Sequence, residues 1–143
     1  MRFELDGRTV SLREAELQRI VEKFLELLDT DLFTVGRVWV FGGVVNEPEK
    51  VHGDIDLLLE VVHFPSEIEV SFMAFDWADA IGEHPELALV DCFLYDGRRV
   101  ATFSHDLPYL QVFSITVEPG FGGLDDDDTS IYIGEKVELF RDE

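Results

Sequence analysis

Cysteine, lysine and long apolar runs are all scarce in this chain. Its only cysteine, Cys92, excludes an internal disulfide and reads as a small buried apolar residue. No uninterrupted apolar stretch approaches the roughly 20 residues a membrane span needs. The opening "MRFELDGRTV" has acids where a secretory leader has an apolar centre. These absences lead to the expectation of a soluble, cytoplasmic protein with no membrane partner. Positive charge is the largest deficit: 11 Lys and Arg face 31 Asp and Glu, for a net charge of −20. Residues 1–53 hold 10 acids and 7 bases, whereas residues 54–143 hold 21 and 4. Such a surface repels phosphate backbones and argues against broad nucleic-acid binding without a bridging cation. Only Lys23, Lys50 and Lys136 are lysines, and acid-rich, lysine-poor composition also suits concentrated salt.

The chain does have enough apolar material for a core, 46% of 143 residues, which is the scale of one domain. Asp6-Gly7 between alternating runs predicts a hairpin over residues 2–11. Ser11 and Glu14 have capping-box spacing, and Leu17, Ile20, Val21, Phe24, Leu25 and Leu28 recur with helical period, predicting a helix over 12–28. A buried strand follows at Val38–Phe41, then a polar connection containing Pro48, then a strand at Ile55–Val62. Pro65-Ser66 with Glu69 starts a second helix running to about Glu83. "ELALVDCFLY" reads as a strand, and Asp96-Gly97 turns it into "RRVATF". Residues 109–117 and 131–140 read as two more strands around the loop "PGFGGLDDDDTS". The expectation is one α+β domain over 1–143: a mixed β-sheet flanked by helices, with a core at about 12–95 and extra hairpin and strands over 96–143.

The chemistry gathers in "VWVFGGVVNEPEKVHGDIDLLLEV". Residues i and i+2 of a strand share a face, so Asp54 and Asp56 present paired carboxylates while Ile55 turns to the core. Two such charges repel unless a cation sits between them, and hard divalent ions want oxygen ligands of this kind. Asp91 stands alone in an apolar strand, where a charge is expensive to bury without a partner. If its strand lies beside Ile55–Val62, it completes a three-carboxylate cluster. Three acids around two Mg²⁺ ions suit phosphoryl or nucleotidyl transfer. An isolated Asp-x-Asp more often just flanks a turn. Gly42 and Gly43 shift that balance, because glycines at a strand end let a ligand approach the main chain and can form an anion-binding concavity.

The pattern "VFGG", ten intervening residues, "DIDL" and a later "VDC" strand resembles the DNA-polymerase-β-like nucleotidyltransferase superfamily, in its minimal one-domain form, over about residues 37–94. The resemblance implies Mg²⁺ (or Mn²⁺) held by Asp54, Asp56 and Asp91, which are also the catalytic residues. It implies Gly42 and Gly43 at the phosphates of a nucleoside triphosphate such as ATP, with Lys50 the one loop base to offset phosphate charge. The implied activity is transfer of a nucleoside monophosphate to an acceptor hydroxyl. Many members carry serine where Gly43 stands and a base soon after it. That difference supports the alternative, a catalytically inactive binding module working through a small helical protein partner, as in toxin–antitoxin pairs.

Other residues invite weaker readings. His52 could touch a phosphate, although a solvated loop histidine is the simpler view. His63, His84 and His105 lack ligand spacing. Arg98 and Arg99 read as an exposed hairpin pair, and Asp125–Asp128 as a solvated loop without EF-hand spacing. Phe72, Phe75 and Trp77 are expected in the helix core or in an interface patch.

Overall fold

A computed structural model of the protein describes residues 2–5, 7–28, 35–107, 109–116, 130–132 and 136–141. Strands β1 (Arg2–Leu5) and β2 (Arg8–Ser11) form the expected hairpin, pairing Leu5 with Arg8 and Arg2 with Ser11. Helix α1 spans Glu14–Leu27 and buries Leu17, Ile20, Val21 and Phe24. The Ser11–Glu14 capping box does not form. Ser11 is drawn into β2, and the helix starts instead from the extended backbone of Arg13, whose side chain pairs with Glu16 at 2.7 Å.

The main sheet begins with β3 (Val35–Phe41), followed by a one-turn helix α2 (Gly43–Asn46) that the sequence pattern did not announce. A two-residue strand β4 (Val51–His52) then pairs in parallel with β1, tying the loop before Asp54 to the N-terminal hairpin. Strand β5 (Ile55–Val61) lies antiparallel to β3. Helix α3 (Glu67–Ile81) starts with the predicted capping box, Ser66 Oγ accepting from the Glu69 N–H and Glu69 accepting from the Ser66 N–H. It is the crossover that a parallel strand pair requires.

The strand expected over 86–95 begins only at Val90. Pro85 opens a 3₁₀ turn over Pro85–Leu89, which turns Leu87 and Leu89 into the core and offers the Leu87 carbonyl to Trp77 Nε1–H at 3.1 Å. Strand β6 (Val90–Tyr95) runs parallel to β5, and β7 (Val100–Phe103) returns antiparallel through the predicted hairpin. Beyond it lie β8 (Gln111–Thr116), β9 (Ser130–Tyr132) and β10 (Lys136–Arg141). The single strand expected over 131–140 is two pieces. β9 pairs with β8 at one edge, while β10 pairs with β3 at the other, in the order β10-β3-β5-β6-β7-β8-β9.

Side-chain alternation gives this sheet two unlike faces. Val38, Val40, Ile55, Leu57, Leu59, Val90, Cys92, Leu94 and Phe103 face α1 and α3, where Phe24, Trp77 and Met73 complete the main core. The opposite face carries Phe41, Leu58 and Val100, with Trp39, Phe93, Tyr95 and Phe113 packed around them. Among the described residues no helix is long and apolar enough to cross a membrane.

Candidate metal centre

The second sheet face also carries the aspartates. Asp56 lies between inward-facing Ile55 and Leu57, so its carboxylate leaves on the side away from the helices. Register then decides the site. Asp56 pairs with Phe41 of β3 on one side and with Asp91 of β6 on the other. Asp54, just ahead of β5, completes the group, and one carboxylate oxygen from each residue lies within 4.8 Å of the other two. The structure therefore brings together all three predicted acids.

Two of the three are half-buried at the end of an apolar face, and their protonation reflects it. Burial foremost, then the charges of Asp54 and Asp91, pushes the Asp56 carboxyl from 3.8 up to about 8. Burial, a hydrogen bond to Asp54, and the charges of Asp54 and Asp106 raise Asp91 to about 7. Without a cation beside it, Asp56 therefore keeps its proton at neutral pH, and Asp91 keeps it part of the time. A bound cation would remove that need, so the three could hold a metal ion. The donors are all oxygen, with no histidine or cysteine, which is the chemistry of hard cations.

Gly42 is built into the same site. Its backbone sits at φ 78°, ψ −150°, a region nearly closed to other residues. A Cβ there would collide with Asp56 Oδ2 and lie 3.3 Å from Asp56 Cγ. Gly43 opens α2 beside His52, and a Cβ on it would lie 3.0 Å from His52 Nδ1. The His52 Nε2–H donates to the Glu47 carbonyl at 2.7 Å, which fixes the ring against the glycine turn. The glycine pair thus sits between Asp56 and His52, and the histidine borders the site rather than a free loop.

Lys50 is placed differently. Its ammonium pairs with Glu47 at 3.0 Å on an exposed loop, and no cation is among the charges that shift Asp56 or Asp91. Arg98 and Arg99 donate backbone N–H groups to Asp96, and the Arg99 guanidinium lies 5.3 Å over the Phe64 ring. They sit where β6 ends, while Asp91 lies where it begins. His84 sits near Lys23 and Glu86, and His105 packs on Trp77. Asp125–Asp128 lie outside the described residues.

Asp106 was not singled out from sequence. It stands in the turn after β7, held below the usual carboxylate range foremost by the Ser104 hydroxyl at 2.6 Å, and its charge contributes to the raised Asp91. Spacing carries no signal for it, because a turn and not a strand period brings it near. The Cys92 thiol is pushed up foremost by burial and then by Asp91, consistent with an inert core residue. No family model, curated protein or solved structure matches this chain.

Proposed function

We propose that the protein is a metal-dependent nucleotidyltransferase that moves a nucleoside monophosphate from a nucleoside triphosphate to an acceptor hydroxyl. The observation carrying this reading is the convergence of Asp54, Asp56 and Asp91 from adjacent strands, with the Gly42 backbone packed against Asp56. The glycine-pair and Asp-x-Asp spacing that resembles the polymerase-β-like superfamily supports it. Asp54 and Asp56 would hold two Mg²⁺ or Mn²⁺ ions and Asp91 one of them, and the pair would supply positive charge to the attacking and leaving oxygens. The acceptor oxygen bonds to the α-phosphorus, the bond to the β-phosphate oxygen breaks, and pyrophosphate leaves. Asp91, kept ionised beside the cation, would take the hydroxyl proton. The test is label transfer from α-labelled ATP with Mg²⁺ or Mn²⁺. Asp56→Asn should abolish it, and equal transfer by both forms would remove the assignment.

The alternative, an inactive nucleotidyltransferase-like binding module, is favoured by the shortage of positive charge at the site. Lys50 is engaged by Glu47, and the charges acting on Asp56 and Asp91 are acidic. Calorimetry with millimolar Mg²⁺-ATP separates the readings: absence of heat and of thermal shift would favour the module.

A further inference from the structure

The outer surface of α3 carries three large apolar side chains that are mostly exposed. Ile68, Phe72 and Phe75 are 65%, 67% and 75% exposed, while Val70, Met73 and Trp77 of the same helix are buried against the sheet. The exposed three recur at i, i+4 and i+7, so they form one stripe along the helix axis. At roughly 150–250 Å² for a full aromatic side chain, the stripe exposes on the order of 400 Å² of apolar surface. A contiguous patch of that size on a soluble domain usually marks an interaction site. The charged residues of this helix are of one sign. Glu67, Asp76 and Asp79 are exposed on this helix, which has no lysine or arginine at all.

That charge pattern selects the occupant. A second copy of the chain would set these carboxylates against their counterparts, between bodies each carrying −20. Helices that lie on membranes surround their apolar face with Lys and Arg to meet anionic lipid, the reverse of what α3 offers. We propose that the Ile68–Phe72–Phe75 stripe docks an amphipathic helix of a different protein chain, with apolar residues at i, i+3 or i+4, and i+7, flanked by Lys or Arg. The aspartates leave the sheet on the face opposite α3, so such a partner can sit on the helix without covering them.

The probe is a labelled peptide of about 18 residues, long enough to hold a helix. It carries Leu at that helical spacing and Lys elsewhere, with a scrambled peptide of the same composition as control. Fluorescence anisotropy in buffered 0.15 M salt should show the patterned peptide binding more tightly than the scrambled one. Phe72→Ser with Phe75→Ser should weaken the patterned peptide about tenfold or more and leave the scrambled one unchanged. The single variant Phe75→Ser, at the most exposed position, gives the same direction on a chain whose thermal unfolding matches wild type. Equal affinity for the two peptides, or no loss in the variants, would overturn the proposal. So would a wild-type dimer in sedimentation that the variants dissolve, which assigns the stripe to a second copy. Co-sedimentation with phosphatidylcholine vesicles, lost in the variants, would overturn it in favour of a membrane surface.

Discussion

Replacing Asp56 by asparagine should make the metal-free protein more stable at alkaline pH while removing its response to divalent cations. The folded carboxyl is raised from 3.8 to about 8, so the native state binds this proton more tightly than the unfolded chain does. The associated stability is fully present below about pH 4 and is lost as pH rises through 8. About four units at roughly 1.4 kcal/mol each set a ceiling of about 6 kcal/mol. Asp56 is only half-buried and shares its surroundings with Asp54 and Asp91, so screening reduces this to about 2–3 kcal/mol. The asparagine side chain keeps the shape and cannot ionise. In EDTA at pH 9 the variant should therefore melt about 6–12 °C above wild type, and the gap should close towards pH 5. Taking the difference between the two proteins cancels groups titrating elsewhere. Adding Mg²⁺ at constant ionic strength should then stabilise wild type by about 2–3 kcal/mol at a hundredfold excess over its dissociation constant, and leave the Asp56→Asn variant unmoved. Differential scanning calorimetry reads both effects. A variant less stable than wild type at pH 9 in EDTA, or an equal Mg²⁺ response in both, would refute the electrostatic account of the site.

Gly42→Ala should cost about 1–3 kcal/mol through its φ alone and displace the Asp56 carboxylate, lowering Mn²⁺ affinity at least about tenfold by calorimetric titration. Unchanged affinity would show that the close approach is incidental. Ser66→Ala removes the cap of α3 and should lower stability by about 1 kcal/mol in urea unfolding, without altering Mn²⁺ binding. Trp77→Ala should cost about 3–5 kcal/mol, since the indole is fully buried against Phe24 and its N–H bonds the Leu87 carbonyl. A loss below about 1 kcal/mol would mean that α3 is not anchored there.

Local signals made some elements legible before any tertiary contact. The β1–β2 hairpin at Gly7, the Asp96-Gly97 turn, the Ser66–Glu69 box and the apolar spacing of α1 involve residues a few positions apart, so nearby chain chemistry settles them. Strand alternation likewise put Asp54 and Asp56 on one side of Ile55. The same local logic failed at Ser11, where pairing with Arg2 outweighed a cap, and at Pro85–Leu89, where burial of Leu87 and Leu89 favoured a 3₁₀ turn over a longer strand. The outward turn of Phe72 and Phe75 was undecidable from spacing, because the α3 sequence is apolar on both sides.

Three decisions belonged to the tertiary structure alone. The parallel register of β5 and β6 set Asp91 opposite Asp56, and a slip of one residue would have sent Asp91 to the helix face. The last strand crossed to pair with β3 rather than remain beside β9, a choice between distant edges that no local pattern encodes. Gly42 met Asp56 because Phe41 and Asp56 are register partners across antiparallel strands. The sequence by itself determined which residues carry charge, which turn and which alternate. Pairing between segments far apart in the chain decided which of those charges meet, because register is fixed by the burial of whole strand faces and not by any one residue.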